Sequence, residues 1–103
     1  MLVKILFIER MIYMVDIYKI RRFMDSYMKE YPEISISFTY DECNFVAKWE
    51  FHAYSSGKYA MTHGDCISQN TDNVLSVIKD SFLRFLSTDV VKYILSQSRL
   101  EEL

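Results

Sequence analysis

Residues 33 to 65 read EISISFTYDECNFVAKWEFHAYSSGKYAMTHGD, and this stretch decides the fold. Apolar and polar side chains alternate in three runs, which are separated by the polar segments 41–44 and 54–58. Because successive side chains of a β-strand point to opposite faces, such alternation is typical of strands with one buried face. The stretch therefore predicts a three-stranded antiparallel meander.

The two predicted turns also determine which residues lie opposite one another. A register that collects the larger apolar side chains on one face leaves Ser, Thr, Lys and Glu on the other face, together with His52. This register places His63 on the apolar face beside Trp49, and Thr62 on the polar face. The predicted cross-strand pairs are Tyr40–Phe45, Ile36–Trp49, Phe51–Met61 and Trp49–His63.

Amphipathic helices are predicted on both sides of the meander. Val15 to Tyr31 has apolar residues at three- and four-residue steps, and Pro32 ends this helix because proline disfavours helical geometry in the residue before it. A second helix is predicted after the polar cap residues 68–72, and a third after the break at 87–89. The predicted fold class is α+β in two layers: one helix, a three-stranded antiparallel meander and then two helices (αβββαα).

Length and composition predict one domain over residues 1–103, with its core between residues 15 and 97. The net charge of −2 argues against a general attraction to nucleic acid or to an anionic membrane. Cys43 and Cys66 lie at the same end of the predicted sheet, so a disulfide between them is sterically possible. Two cysteines in a domain with an adequate core are more typical of free thiols in the cytoplasm, which is the expected location.

The first residues of the chain admit two interpretations. Residues 1–13 contain an apolar stretch, but Lys4, Glu9 and Arg10 interrupt anything long enough to span a bilayer. Residues 9–11 can be encoded by a purine-rich sequence like a bacterial ribosome-binding site, which makes Met14 a candidate for the natural start. The alternative is a genuine N-terminal strand or helix extension.

The residue types that bind metals or act as nucleophiles do not combine into a site. Only His63 and Cys66 have a separation like that of structural zinc ligands, and alternating strand directions point them to opposite faces. The same separation argues against a cysteine nucleophile with a histidine base. We therefore expect no enzymatic activity, no cofactor and no metal. The potential zinc ligands considered are Cys43, His52, His63 and Cys66.

The polar face of the sheet and the first helix supply the candidate binding residues. Tyr54 projects from the second predicted turn, and exposed tyrosines are frequent hot spots of protein interfaces. The first helix is the most basic segment of the chain, although acidic residues dilute its charge. The predicted partner-binding residues are Lys48, Glu50, His52, Tyr54, Arg21 and Arg22.

The order of the elements is similar to that of two known families. Double-stranded-RNA-binding domains have a basic run at the start of their second helix, whereas residues 70–74 read NTDNV here and the first lysine follows at Lys79. The departure argues against direct nucleic-acid binding. From Val15 to Leu95 the chain also resembles small phage-encoded anti-CRISPR proteins in topology and size. This second resemblance implies an inhibitor that occupies a surface on a nuclease complex in a bacterial cell.

These observations together predict a small non-enzymatic protein-binding module. The predicted partner is a host protein or protein–nucleic acid complex such as a CRISPR effector, inhibited by a protein of a phage or mobile element. Two alternatives stay open. One is a nucleic-acid-binding domain that uses the basic first helix, and the other is a homo-oligomeric subunit whose contact includes residues 1–13. No membrane association is expected.

Overall fold

A computed structural model of the chain describes residues 15–101, which form an antiparallel sheet and three helices. The predicted fold class and element order are confirmed. Residues 1–14 lie outside the described part. The two interpretations of the N-terminus and its predicted role in an oligomer contact concern these residues, so they stay predictions. The helices are α1 (Ile17–Glu30), α2 (Thr71–Leu86) and α3 (Asp89–Glu101), and the strands are β1 (Ile34–Asp41), β2 (Val46–Ser55) and β3 (Lys58–Ile67).

Local capping defines the ends of the helices. The Asp16 carboxylate accepts a hydrogen bond from the Lys19 backbone N–H at 3.0 Å, and α1 stops two residues before Pro32. The Asn70 side chain caps α2 in the same way, by accepting from the Asn73 N–H at 2.9 Å. The polar residues between β3 and α2 therefore act as the helix start that their sequence predicts.

The core lies between the sheet and the helices, and aromatic rings fill its centre. Phe82 of α2 stacks on Tyr27 of α1 with ring centroids 4.3 Å apart, and it meets Phe51 of β2 edge-on at 5.3 Å. Within residues 15–101, every buried side chain is apolar. None of the helices in this range is both long and apolar enough to span a membrane. The residues of β2 that face the helices and are buried are Ala47, Trp49, Phe51 and Ala53.

The first hairpin has the predicted faces but a different register. Ile36 lies opposite Phe51 and Phe38 opposite Trp49, so the predicted pairs Ile36–Trp49 and Tyr40–Phe45 are wrong by two residues. A shift of two residues returns each side chain to the same face, because the period of a strand is two. Phe45 belongs to the turn, where its φ of 58° is left-handed and its side chain is 40% exposed.

Asp41 holds this first turn together. Its carboxylate accepts a hydrogen bond from the Asn44 side-chain amide at 2.8 Å and another from the Cys43 backbone N–H at 2.9 Å. These bonds favour the ionised carboxylate, so they lower the pKa of Asp41 below its ordinary value of 3.8. The turn is therefore more stable when Asp41 is charged.

We expect the Asp41→Ala substitution to lower the thermal unfolding midpoint at neutral pH by an amount that shrinks in acid. A carboxylate whose pKa is lowered by folding contributes its full stability above its unfolded pKa, and this contribution is lost as the pH falls through the lowered folded value. Thermal unfolding of the two proteins followed by circular dichroism from about pH 7 to about pH 2 measures the difference. A gap that stays constant over this range would contradict the role of the charge.

The second hairpin overturns the predicted faces of β3. The turn consists of Ser56 and Gly57 alone, whose φ values of 52° and 78° are both positive, as a type I′ turn requires. Phe51 lies opposite Thr62 rather than Met61, so the predicted register was wrong by one residue. A slip of one residue moves every side chain of a strand to the other face. Tyr59, Met61, His63, Asp65 and Ile67 consequently point away from the helices.

The size of Trp49 gives the physical reason for this register. Trp49 lies opposite Gly64, and a Cβ atom at Gly64 would come within 2.6 Å of the indole Nε1. The indole N–H donates to the Ser81 hydroxyl of α2 at 3.2 Å, which holds the ring between sheet and helix. The predicted contact of His63 with Trp49 on the apolar face is thus wrong, because the ring occupies the space that a side chain of β3 would need.

Candidate functional site

The strongest candidate site is the side of the sheet that faces away from the helices, which we call the outer face. On β2 the outward positions alternate with the buried ones. They are Val46 and the four residues that were predicted there: Lys48, Glu50, His52 and Tyr54. On β1 the outward positions carry the small polar residues Ser35, Ser37 and Thr39 and, at the end of the strand, Asp41, which are all exposed. Thr62, which was also predicted on this face, lies on the helix side of β3 instead.

Three side chains of the outer face form one hydrogen-bonded chain. His52 Nε2 lies 3.2 Å from a Glu50 carboxylate oxygen, and His52 Nδ1 lies 2.5 Å from the Tyr59 hydroxyl oxygen. A neutral imidazole satisfies both contacts when its Nε2–H donates to Glu50 and its Nδ1 accepts from the Tyr59 hydroxyl. The two contacts fix the rotamers of the imidazole and the phenol before any partner arrives.

Apolar surface lies beside this hydrogen-bonded chain, at the end of the sheet near the second turn. Tyr54 and Tyr59 are direct cross-strand neighbours, and their side chains are 63% and 56% exposed. Met61 of β3 lies next to them, opposite His52 of β2, and is also exposed. Two tyrosines and a methionine around a histidine form the kind of mixed surface that is enriched in protein interfaces.

Tyr59 and Met61 were not predicted to be members of this surface. Both were predicted to be core residues, since the five-residue turn assumed at 54–58 placed them on the helix side. The signal that could have found them is the Ser56-Gly57 dipeptide, because a two-residue hairpin turn needs residues that tolerate positive φ. Counting β3 from that dipeptide gives the observed register.

The middle of the outer face is a shallow depression of about 420 Å³ that opens to solvent. Across the strands Lys48 lies opposite Asp65, and Glu50 lies opposite His63. The lysine and the two carboxylates give the face charges of both signs, so it carries no strong field. The depression is too open and too polar to be typical of a small-molecule site, which encloses most of its ligand.

The structure does not bring the two arginines of the prediction to this face. Arg21 and Arg22 are exposed on α1, whose buried residues Ile20 and Met24 face the core on the opposite side of the sheet. A partner that lies flat on the outer face therefore contacts Lys48, Glu50, His52 and Tyr54, while the arginines belong to a separate surface of the helical layer.

The two cysteines are free thiols in different surroundings. Cys43 is exposed in the first turn, and Cys66 lies on the helix side of β3, opposite Ala47. Burial raises the pKa of the Cys66 thiol, and the negative charge of Asp65 raises it further. Between residues 15 and 101 no three histidine, cysteine or carboxylate side chains are grouped closely enough to hold a metal ion.

The chain was compared with known protein families, sequences and structures. No protein-family model, curated protein sequence or solved structure matches the chain at a significant level.

Proposed function

We propose that the protein is a non-catalytic binding module that uses the outer face of its sheet to contact another protein. The observation that carries the proposal is the exposure of Tyr54 and Tyr59 beside a histidine whose two ring nitrogens are both hydrogen-bonded. Aromatic side chains that are ordered in advance contribute strongly to interfaces, because little conformational entropy is lost when the partner binds.

The charges on the same face support a protein rather than a nucleic acid as the partner. Lys48 lies opposite Asp65 across the strands, and the imidazole of His52 is hydrogen-bonded to Glu50. A phosphate backbone requires a surface of one sign, whereas charges of both signs suit the mixed rim of a protein interface. Nucleic-acid binding through Arg21 and Arg22 is the alternative, and the binding experiment with the arginine variant distinguishes it from the proposal.

The finer form of the proposal is an inhibitor encoded by a phage or mobile element. Its support is the resemblance in element order and size to small anti-CRISPR proteins that the sequence suggests. In this form the outer face occupies a surface on a bacterial nuclease complex and blocks access to it. The partner is then a host assembly, and inhibition follows from occlusion without chemistry.

We expect Tyr54→Ala and His52→Ala each to weaken partner binding by about 2 kcal/mol, which is roughly a 30-fold rise in Kd. The tyrosine loses its contact area, while loss of the imidazole frees Glu50 and Tyr59 from their hydrogen-bonded geometry. Affinity capture from a low-GC bacterial lysate, with mass spectrometry of the bound proteins, identifies the partner. Titration of that partner then measures the change in each variant.

The double variant Arg21→Ala/Arg22→Ala is the matched control, because it alters exposed residues of the helical layer. It should bind the partner as the wild type does. A partner that both outer-face variants retain at full affinity would rule out the site. Capture that disappears after nuclease treatment, together with loss of binding in the arginine variant, would replace the proposal by nucleic-acid binding through α1.

A further inference from the structure

Strand β3 forms an open edge of the sheet. The Ser68 N–H donates to the Phe45 carbonyl at 2.9 Å, which shows that even-numbered residues of β3 direct their backbone groups toward β2. The N–H and C=O groups of odd-numbered residues 59–67 therefore point away from the sheet. Among residues 15–101, no backbone hydrogen bond from another element reaches them.

This edge lacks three features by which proteins often block strand pairing, namely short length, a proline and a bulge, and its charged residues are Lys58 at the start of the strand and Asp65. β3 is ten residues long, contains no proline, and pairs with β2 in continuous register without a bulge. Its outward side chains include Met61 and Ile67, of which Ile67 is 78% exposed. A long, regular edge with exposed apolar side chains is a template for another strand.

We propose that the occupant of this edge is the β3 strand of a second copy of the chain, paired antiparallel around a two-fold axis at Gly64. In this register His63 lies opposite Asp65 of the second copy, and Met61 lies opposite Ile67 of the second copy. The symmetry repeats both contacts, so each copy contributes the same edge. An imidazole thus meets a carboxylate, and one exposed apolar side chain covers another.

Neighbouring registers lack this complementarity. In any such pair the odd-numbered residues of β3, which face away from the helices, must lie opposite odd-numbered residues of the second copy. The two-fold axis therefore passes beside a residue and never between two residues. An axis at Asp65 puts two carboxylates opposite each other, and an axis at His63 puts Met61 opposite Asp65. The polar and the apolar contacts are both matched when the axis passes through Gly64.

The helix side of the edge leaves room for this approach. Gly64 has no side chain, and a cleft of about 370 Å³ opens beside it between β3 and α2. The other residues of β3 that face the helices near the axis are Thr62 and Cys66, which are small or half-buried. The two backbones can therefore approach to the ordinary strand spacing of about 4.8 Å without moving a large side chain.

The proposal predicts that the wild-type mass rises from 12.3 kDa toward twice that value as concentration increases. Sedimentation equilibrium from about 1 μM to about 1 mM covers the range expected for a contact smaller than a standard interface. His63→Glu places two carboxylates together, and Asp65→Lys removes the acceptor for His63. Each change should raise the dimer Kd at least about tenfold.

Mixing the two single variants provides the sharper test. In a dimer of His63→Glu with Asp65→Lys, the new glutamate lies opposite the new lysine, and the native histidine lies opposite the native aspartate. The mixture should therefore dimerise with a Kd near that of the wild type, although each variant alone dimerises more weakly. A folding defect cannot produce this recovery, and circular dichroism of each variant checks the fold directly.

Ser37→Glu is the matched control, because it adds a carboxylate to the outer face on β1, away from the β3 edge. It should leave the dimer Kd unchanged. A wild-type mass that stays at 12.3 kDa at the highest concentration would overturn the proposal. Single variants that both dimerise as tightly as the wild type, or a mixture that dimerises no better than the single variants, would overturn the register at Gly64.

Discussion

Replacing Phe82 by alanine is expected to lower the free energy of unfolding by about 4 kcal/mol. Phe82 is fully buried in α2, and its ring contacts Tyr27 of α1, Tyr31 just after that helix and Phe51 of β2. The substitution removes the ring's transfer free energy and leaves a cavity that the sheet and α1 cannot close. Since a domain of this size is stable by about 5–15 kcal/mol, much of its stability would be lost.

Urea unfolding followed by circular dichroism measures this effect, and the next residue of the helix is a matched control. Leu83 is 51% exposed, so Leu83→Ala should change the free energy of unfolding by no more than about 0.5 kcal/mol. Both substitutions act on neighbouring positions of α2 and alter helix propensity only slightly. Equal losses in the two variants would show that Phe82 does not join the three elements as described.

Replacing Gly64 by alanine is expected to cost about 2 kcal/mol, although alanine suits a strand better than glycine does. The new Cβ would lie 2.6–2.7 Å from three atoms of the Trp49 ring. The ring is buried and hydrogen-bonded to Ser81, so it cannot turn aside cheaply. The expected loss comes from steric overlap with one named side chain.

A double-mutant cycle with Trp49→Phe tests that origin. The shorter ring relieves the overlap, so Gly64→Ala should cost at least about 1 kcal/mol less in the Trp49→Phe background. Gly57→Ala is the control, because Gly57 has a φ of 78° and no atom near the position of an added Cβ. Its cost arises from the backbone alone and should be the same in both backgrounds, whereas additive costs at Gly64 would contradict the steric explanation.

Much of the fold could be predicted because a register error of two residues leaves every side chain of a strand on its predicted face. In the first hairpin the register shifts by two residues, and Trp49 and Phe51 still face the helices. The outward residues of β2 follow from the same alternation, so Glu50, His52 and Tyr54 could be found as surface residues without knowing the register.

The faces of β3 could not be predicted from alternation alone. Both sets of alternating residues contain apolar members, such as Met61 on one face and Ala60 on the other, so hydrophobicity does not choose between them. The choice depends on the two-residue turn and on the space that Trp49 takes at Gly64. Tyr59 was missed as a site residue for this reason, and its bond to His52 depends on side-chain positions across two strands.

The placement of Trp49 also gives the protein a built-in optical reporter. It is the only tryptophan in the chain, its side chain is 3% exposed, and its indole N–H donates to Ser81. Its fluorescence therefore reports on the contact between β2 and α2, and its emission shifts when water reaches the indole. Tyr54 and Tyr59 lie on the opposite face of the sheet, so a partner that binds there does not touch the indole, and a shift of the tryptophan emission reports opening of the core rather than occupancy of the outer face.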